Sequence, residues 1–272
     1  MRLDAYLAKN HPQHSRSTWQ KFIDSGLVSV NGKIAVKTTK VSENDKIEIG
    51  ETKQHIEPID IPIIFEDDNV IVINKPAGVL AHSKGAINNE FTVSDFIKSH
   101  SPNSDLPDNN RFGIVHRLDR MTSGVMIGAK NVDTLKKLQR QFSERKTKKT
   151  YQAIVEKVPE DQEFRIDLPI ARNPKSPSQF RVDAKGKPAV TDVKVNKLFD
   201  DRTALLELRP ITGRTHQLRV HLTYIGSPIV GDPVYGQPAN HMLLHAHQLE
   251  ITIPDGDRRI FTADPPKYFE KG

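Results

Sequence analysis

One carboxylate, Asp119, lies in a sequence context that could make it reactive. It follows a short apolar run, it is flanked at close range by Arg117 and Arg120, and a Thr-Ser-Gly turn comes next. A second apolar run, 125–129, follows the turn, so two short strands would hold Asp119 at the lip of a sheet. An opposite charge within reach favours the ionised carboxylate, which is the form that a nucleophile needs. The alternative is an ordinary surface ion pair, which is common and weak.

Charge distribution points to a polyanionic partner. The 272 residues are 27% charged and 36% hydrophobic, with a formal net charge of +6 and an isoelectric point near 9.3. Eight Lys or Arg fall between Lys130 and Thr150, against only two acidic residues, so this stretch alone carries +6. A basic helix directly after a reactive turn favours phosphate binding over a merely solvated face.

Missing residue types and motifs exclude several classes of function. Because the chain has no cysteine, disulfides, thiolate catalysis and cysteine-based zinc sites are excluded. We find no signal-peptide core and no run near the roughly 18 apolar residues of a membrane span. We therefore expect a cytoplasmic protein. No cofactor-binding motif or oligomer signal is visible, so we expect no cofactor and a monomer.

The elements that must position Asp119 fall into two units and a linker. Residues 1–50 show two helical patterns, the second capped by Ser15 or Ser17, and then strands around an Asn-Gly hairpin signal. Residues 51–62 are polar and contain two prolines, which is typical of a linker. Residues 63–272 form the predicted catalytic domain.

Within that domain, the patterns alternate between strand and helix early on and become mostly strand later. Apolar residues from Val132 to Phe142 recur at helical spacing. Strands are predicted near 149–155, 189–198, 203–208 and 243–253, with one more helix near 215–225. We predict an α+β fold in which a mostly antiparallel mixed sheet is flanked by helices and loops.

Several motifs in this domain occur together and in order. Residues 116–124 read His-Arg-Leu-Asp-Arg-Met-Thr-Ser-Gly and resemble the active-site signature of the RluA family of pseudouridine synthases, His-Arg-Leu-Asp-x-x-Thr-Ser-Gly. Residues 149–151 resemble the family's Lys-x-Tyr strand, and 213–221 resemble its Gly-Arg-x-His-Gln-x-Arg-x-His element. Further matches are the Lys-Pro-x-Gly turn at 75–78 and the later, mainly architectural motifs at 231–236 and 244–246. The resemblance extends from about Ile63 to Pro266.

The first unit has its own resemblance. Its order Arg-Leu-Asp-x-Tyr-Leu, Ser-Arg-Ser, Ile-x-x-Gly-x-Val-x-Val-Asn-Gly is similar to the S4-type RNA-binding domain. Together the two resemblances imply the pseudouridine synthase fold and isomerisation of uridine to pseudouridine in structured RNA. Within the family, a chain with this added unit most resembles the bacterial enzymes for large-subunit ribosomal RNA, and transfer RNA is the alternative substrate.

The resemblance also implies roles for particular residues. Asp119 is the catalytic carboxylate, Tyr151 offers a ring for stacking and a hydroxyl able to move a proton, and Arg219 pairs with Asp119. Arg117, in preference to His116, is expected to fill the space that the target base leaves. Lys75 is a candidate for phosphate contact or, equally, for a structural role in its turn. The residues expected to contact RNA are His116, Arg117, Arg120, Arg214, Lys75, Arg16, Lys21 and Lys33.

Some alternatives stay open at this point. Asp119 could attack the ribose, attack the uracil ring, or remove a 2′ proton. Two rival functions are a non-catalytic RNA-binding or ribosome-assembly factor and a metal-dependent RNA hydrolase that uses the histidines. Those are His216, His221, His241, His245 and His247. Because they have no acidic ligand at typical spacing, we expect no metal.

Overall fold

The computed structural model describes residues 1–50, 56–83, 90–199 and 202–270. The first part of the predicted linker, 51–55, therefore lies outside the described residues, as do 84–89, 200–201 and 271–272 of the predicted catalytic domain. The helices are α1 (Leu3–Asn10), α2 (Arg16–Asp24), α3 (Val93–Ser99), α4 (Val132–Ser143), α5 (Gln217–Tyr224) and a short 3-10 turn at Lys267–Phe269. The strands are β1 (Val28–Val30), β2 (Lys33–Ile34), β3 (Ile47–Ile49), β4 (Ile63–Glu66), β5 (Val70–Lys75), β6 (Ser123–Ala129), β7 (Lys148–Val155), β8 (Glu163–Asp167), β9 (Ile170–Arg172), β10 (Phe180–Val182), β11 (Val190–Leu198), β12 (Ala204–Pro210), β13 (Leu244–Thr252) and β14 (Arg258–Thr262).

The N-terminal unit packs α1 and α2 against a small antiparallel sheet of order β2-β1-β3. Ser15 is the N-cap of α2, because its hydroxyl accepts a hydrogen bond from the Thr18 N–H. Asn31 and Gly32 have φ values of 52° and 76°, which suits the tight hairpin that joins β1 to β2. The predicted helices, cap and hairpin are thus present. Strand β2 is shorter than predicted and ends at Ile34.

The large sheet has nine strands within the described residues, in the order β4-β5-β6-β13-β7-β12-β11-β8, with β14 also paired to β13. Every pair is antiparallel except β6 with β13. The predicted α+β class with a mostly antiparallel mixed sheet is therefore confirmed. Two further short strands, β9 and β10, form a separate hairpin that sequence patterns did not predict.

The parallel pair determines where Asp119 lies. In the register, Ala246 of β13 faces Gly124 of β6 on one side and Tyr151 of β7 on the other. The loop that precedes β6 therefore ends two strands away from Tyr151. Gly124 has φ 115°, and a Cβ there would lie 2.2 Å from the Ala246 carbonyl oxygen. Only glycine fits this close approach, which explains the last residue of the Thr-Ser-Gly turn.

Helix α4 matches its prediction and covers the sheet with its apolar face. Leu138 is fully buried, and Asn131 caps the helix by accepting a hydrogen bond from the Thr134 N–H at 2.9 Å. Helix α3 was not predicted, although Thr92 and Asp95 form a capping box at its start. The apolar run before Asp119 was predicted to be a strand, but Ile114 makes only an isolated bridge with Gly128. In the described parts of the chain, no helix is both long and apolar enough to span a membrane.

Candidate active site

The loop that carries Asp119 is held from both ends. The Asp119 carbonyl accepts a hydrogen bond from the Thr122 N–H at 3.1 Å, which closes the turn. At the start of β6, the buried Ser123 hydroxyl lies 2.9 Å from His245 Nδ1. The Asp119 side chain is 20% exposed, so its carboxylate reaches the surface from a loop with a fixed backbone.

Arg219 on α5 is the cation beside this carboxylate. Its Nη1 donates to Asp119 Oδ2 at 3.4 Å, the pairing that the family resemblance implied. Its Nε and Nη2 both donate to Asp232 at 2.7 Å. Since Arg219 and Asp232 are both buried, this two-bond pair fixes the guanidinium plane before any substrate arrives.

Asp232 was predicted only as a member of a mainly architectural motif, but its contact with Arg219 makes it part of the site. Besides Arg219, its carboxylate accepts hydrogen bonds from the backbone N–H groups of Val234 and Tyr235, at 2.9 and 3.0 Å. Burial alone would raise the pKa of Asp232, but the hydrogen bonds from Arg219 outweigh it and lower the pKa. The sequence signal for this role was the Asp-Pro pair itself, because Asp232 is the one charged residue of its turn.

His216 is a second group close to Asp119, with its Nε2 3.8 Å from Asp119 Oδ2. Its Nδ1 lies 2.8 Å from the Tyr235 hydroxyl, which already accepts a hydrogen bond from the Phe180 N–H. The bond to Tyr235 fixes the ring so that Nε2 faces Asp119. Burial lowers the pKa of His216, although the nearby Asp119 opposes this. His216 also adopts φ 56°, a left-handed conformation that is uncommon for histidine.

Tyr151 lies on β7 beside the same carboxylate. Its pKa is raised by burial and by the negative charge of Asp119, so its hydroxyl stays protonated. Asp119, Tyr151, Arg219, His216 and Arg214 line a common cavity of about 130 Å³. A carboxylate, a fixed guanidinium and a protonated phenol thus converge on one small space.

Lys75 does not have the position needed for a phosphate contact, which was one of its two predicted roles. Its side chain is fully buried, and the ammonium donates to the carbonyls of Pro76, Val79 and Arg120 at 2.8, 2.8 and 3.2 Å. Burial lowers its pKa to about 7, while the three carbonyls match the three N–H donors of the charged form. Lys75 therefore ties the Lys-Pro turn to the Asp119 loop and is not available to RNA.

Arg120 also differs from its prediction. Its guanidinium makes two hydrogen bonds of 2.6 Å with Glu90 and one of 3.2 Å with the Gly78 carbonyl. It is thus a clamp between chain segments and neither the partner of Asp119 nor a free cation for phosphate. Arg117 is exposed and lines the Asp119 cavity, and Arg214 lies at the same cavity with its Nε donating to the Pro188 carbonyl.

His116 is partly buried and also lines a cavity beside Arg117, so its predicted contact with RNA stays a prediction. Its Nε2 accepts a hydrogen bond from the Ile127 N–H at 3.1 Å, and its ring stacks on Phe142 at 4.5 Å. Burial and the charge of Lys149 lower its pKa to about 3. His116 is therefore a neutral ring that holds the Asp119 loop against β6 and α4.

This histidine makes the stability of the protein depend on pH. The unfolded chain binds a proton at His116 near pH 6.5, whereas the folded protein does so only near pH 3, so stability is lost as the pH falls through this window. Within this window, His116 alone lowers the free energy of unfolding by about 1.4 kcal/mol for each pH unit. We expect His116→Gln, which keeps a hydrogen-bond acceptor, to lose less stability than wild type between pH 6 and 4 in denaturant titrations. Parallel slopes for the two proteins would contradict the assignment.

The N-terminal candidates are mostly at the surface. Lys21 and Lys33 are exposed. Arg16 is 54% exposed, but its guanidinium pairs with the buried Asp4 at 3.0 Å. It therefore stabilises a buried carboxylate of this unit. The predicted contacts of Lys21 and Lys33 with RNA stay predictions.

The other histidines have internal partners. His221 lies 3.0 Å from the Thr191 hydroxyl and 2.9 Å from the Leu168 carbonyl, and His245 Nε2 lies 2.9 Å from the Ala263 carbonyl. Both rings are buried, which lowers the pKa of each. Among the residues that the structure describes, no three side chains of His, Asp or Glu are grouped so as to hold a metal ion. These histidines act in packing.

Comparison with known proteins agrees with this geometry. The family model for RNA pseudouridylate synthase matches residues 69–224, and the S4 domain model matches residues 1–47. An uncharacterised RNA pseudouridine synthase of Aquifex aeolicus is 38% identical, over 99% of this chain and 92% of its own length. The ribosomal large subunit pseudouridine synthase D of Borreliella burgdorferi is 38% identical, over 99% and 87%. The solved structure of human RNA pseudouridylate synthase domain containing 1 is 27% identical and superposes with a TM-score of 0.65, over 79% of this chain and 89% of that one.

The fold and the site thus define an RNA-modifying isomerase. The chain belongs to the RNA pseudouridylate synthase family, in the RluA branch that its motifs resembled, and it carries an S4 domain at its N-terminus.

Proposed function

We propose that this enzyme converts uridines of large-subunit ribosomal RNA to pseudouridine, with Asp119, Tyr151 and Arg219 as its catalytic residues. The observation that carries the assignment is the Asp119 carboxylate, held at 3.4 Å by a buried Arg219 in a cavity shared with Tyr151. Relatives that align along almost the whole chain are named for the ribosomal large subunit. This supports that RNA over transfer RNA, which is the alternative outcome of the test below.

The reaction needs only these groups because it is an isomerisation. The bond from uracil N1 to ribose C1′ breaks, a bond from C5 to C1′ forms, and the hydrogen on C5 is replaced by one on N1. Asp119 supplies the charge that the first step requires, at the ribose, at the ring, or as the base for a 2′ proton. Arg219 orients the Asp119 carboxylate, and the Tyr151 ring offers a face on which uracil stacks.

The remaining parts of the chain serve binding. We assign RNA contact to the S4-type unit, residues 1–50, through the exposed Lys21 and Lys33, and catalysis to residues 63–272, joined by the linker 51–62. Arg117 is the exposed cation at the cavity, so it is placed to fill the gap that an extruded uridine leaves in its RNA. We further propose that the enzyme acts as a monomer in the cytoplasm.

Tyr151 offers a test that separates its ring from its hydroxyl. Tyr151→Phe keeps the stacking face, so we expect KM for RNA to stay near wild type while kcat falls by about 10²-fold or more through the lost proton transfer. Tyr151→Leu removes both, so both parameters should worsen. Steady-state kinetics on one RNA substrate measure the split. Equal kcat values for wild type and Tyr151→Phe would remove the hydroxyl from the mechanism.

The proposed function is tested by mapping pseudouridine. Ribosomal and transfer RNA from cells that lack the enzyme are incubated with wild-type protein or Asp119→Asn, treated with carbodiimide and read by primer extension. We expect new stops in large-subunit ribosomal RNA with wild type alone. Stops only in transfer RNA would identify transfer RNA as the substrate. Tight RNA binding with no stops in either RNA would favour the rival non-catalytic assembly factor.

A further inference from the structure

The basic stretch between Lys130 and Thr150 divides into two groups in the structure. Four of its eight cations form ion pairs of 2.7 to 3.1 Å with Glu66, Glu144 or Glu250. Those four are Lys130, Arg140, Lys146 and Lys148. Lys136, Lys137, Arg145 and Lys149 have no carboxylate partner among the residues that the structure describes. Of these, only Arg145 and Lys149 line a cavity next to the active site.

That cavity has a volume of about 530 Å³ and shares walls with the Asp119 cavity. Tyr151, Lys149 and Arg214 line both. Lys149 faces the same side of β7 as Tyr151, because side chains two residues apart in a strand lie on one face. A Cβ at Gly213 would lie 3.9 Å from the Lys149 ammonium, so this charge sits against the loop that leads to α5. A strand whose base enters the Asp119 cavity would therefore run its backbone through the second one.

Two features show that holding these cations here costs free energy. Lys149 is largely removed from water and is close enough to Arg145 that burial and the like charge both lower its pKa. Arg145 follows α4 with φ 57°, a left-handed conformation in which glycine is the favoured residue after a helix and other residues are strained. An uncompensated pair of cations that lines one cavity suits an anionic ligand, which relieves the repulsion between them.

We propose that Arg145 and Lys149 form a subsite for an RNA phosphodiester next to the target uridine. This inference rests on the proposed function, because it places the backbone of the same substrate. A phosphate oxygen accepts hydrogen bonds from the Arg145 guanidinium and the Lys149 ammonium together, and it neutralises their repulsion. Arg117 and Arg214 at the rim of the cavity extend the positive surface.

The test compares three single variants on large-subunit ribosomal RNA from cells that lack the enzyme. Arg145→Gly removes the charge and suits the left-handed backbone, so its melting temperature should match or exceed that of wild type. Lys149→Gln removes the second charge. Lys148→Gln is the matched control, because it makes the same change one residue away, on the opposite face of β7 and at an exposed pair with Glu250. The measurements are Kd, KM and kcat at several salt concentrations between 50 and 200 mM.

We expect Arg145→Gly and Lys149→Gln each to raise Kd and KM roughly threefold to tenfold and to reduce the slope of log Kd against log salt by about one unit. Their kcat values and the behaviour of Lys148→Gln should stay near wild type. If both variants keep the wild-type salt slope and Kd, the subsite is refuted. A fall in kcat with an unchanged slope refutes it as well. If wild-type protein binds this RNA without turnover, the proposed function fails, while the binding slopes still decide whether the phosphate subsite exists.

Discussion

Replacing Asp119 with asparagine is expected to lower turnover by at least about 10³-fold and to leave RNA affinity within about twofold of wild type. Asparagine has nearly the same shape but cannot carry the negative charge that all three routes require. The fold should be unaffected, because Asp232 still holds Arg219 through two hydrogen bonds of 2.7 Å when Asp119 is neutral. Single-turnover measurement of pseudouridine formation, with RNA binding measured in parallel, checks both parts.

A matched control for this variant is Asp161→Asn, at an exposed position in the turn between β7 and β8. It makes the same chemical change away from the cavity and should leave turnover and binding alone. If Asp119→Asn retained turnover within tenfold of wild type, the carboxylate would not be the reactive group. If it lost RNA binding as well, a structural or binding role for Asp119 would explain the loss of activity.

Asp232→Asn is expected to cost about 3–5 kcal/mol of stability, because it removes one charge of a buried pair and leaves the other with only a longer contact of 3.4 Å to Asp119. The remaining charge is Arg219, whose side chain is 5% exposed and which the neutral amide holds less well. Asparagine keeps one oxygen for the backbone N–H groups of Val234 and Tyr235, which both donate to Oδ1, so its N–H₂ group replaces the Oδ2 that accepts from Arg219 Nε. Turnover should fall too, since Arg219 would no longer be fixed toward Asp119.

Denaturant unfolding followed by circular dichroism measures this loss in the catalytic domain. Intrinsic fluorescence would report another part of the protein, because the one tryptophan of the chain, Trp19, lies in the core of the N-terminal unit. The double variant Arg219→Met/Asp232→Asn removes both charges and keeps an oxygen for the backbone N–H groups of Val234 and Tyr235, so it should regain much of the stability but none of the activity. Unchanged stability in Asp232→Asn would contradict the view that this pair is the buried support of the site.

The elements that the sequence predicted correctly are those with a local signal. Helix α4 has apolar residues at helical spacing and an asparagine at its cap, and the Asn31-Gly32 hairpin has the two residues that tolerate positive φ. The missed elements, α3 and the short strands β8, β9, β10 and β14, have 7 residues or fewer. In so short a segment, few positions are available to establish a period, and packing against the rest of the domain decides the structure.

The candidate site shows the same division. The ordered motifs predicted the chemistry of Asp119, Tyr151 and Arg219 as residue types, and the local charge pattern suggested Arg117 and Arg120 as partners of Asp119. The structure has the Asp119–Arg219 pair that the family resemblance implied, between residues 100 positions apart in the chain, and it pairs Arg120 with Glu90. Neighbours in sequence often point to opposite sides of a loop, so proximity along the chain did not identify the ion pair.

What the sequence by itself determined is the family and the class of fold, and it predicted the reactive groups, since these depend on motif order and on periodicity that can be read along the chain. Only the tertiary structure decided which charges are buried and what they contact. Lys75 donates to backbone carbonyls inside the domain, and His116 packs as a neutral ring. Asp232 holds Arg219 in place. Arg145 and Lys149 have no carboxylate partner in the described residues. The physical reason is that burial and pairing depend on sheet topology, here the parallel contact of β6 with β13, which brings together segments over 100 residues apart.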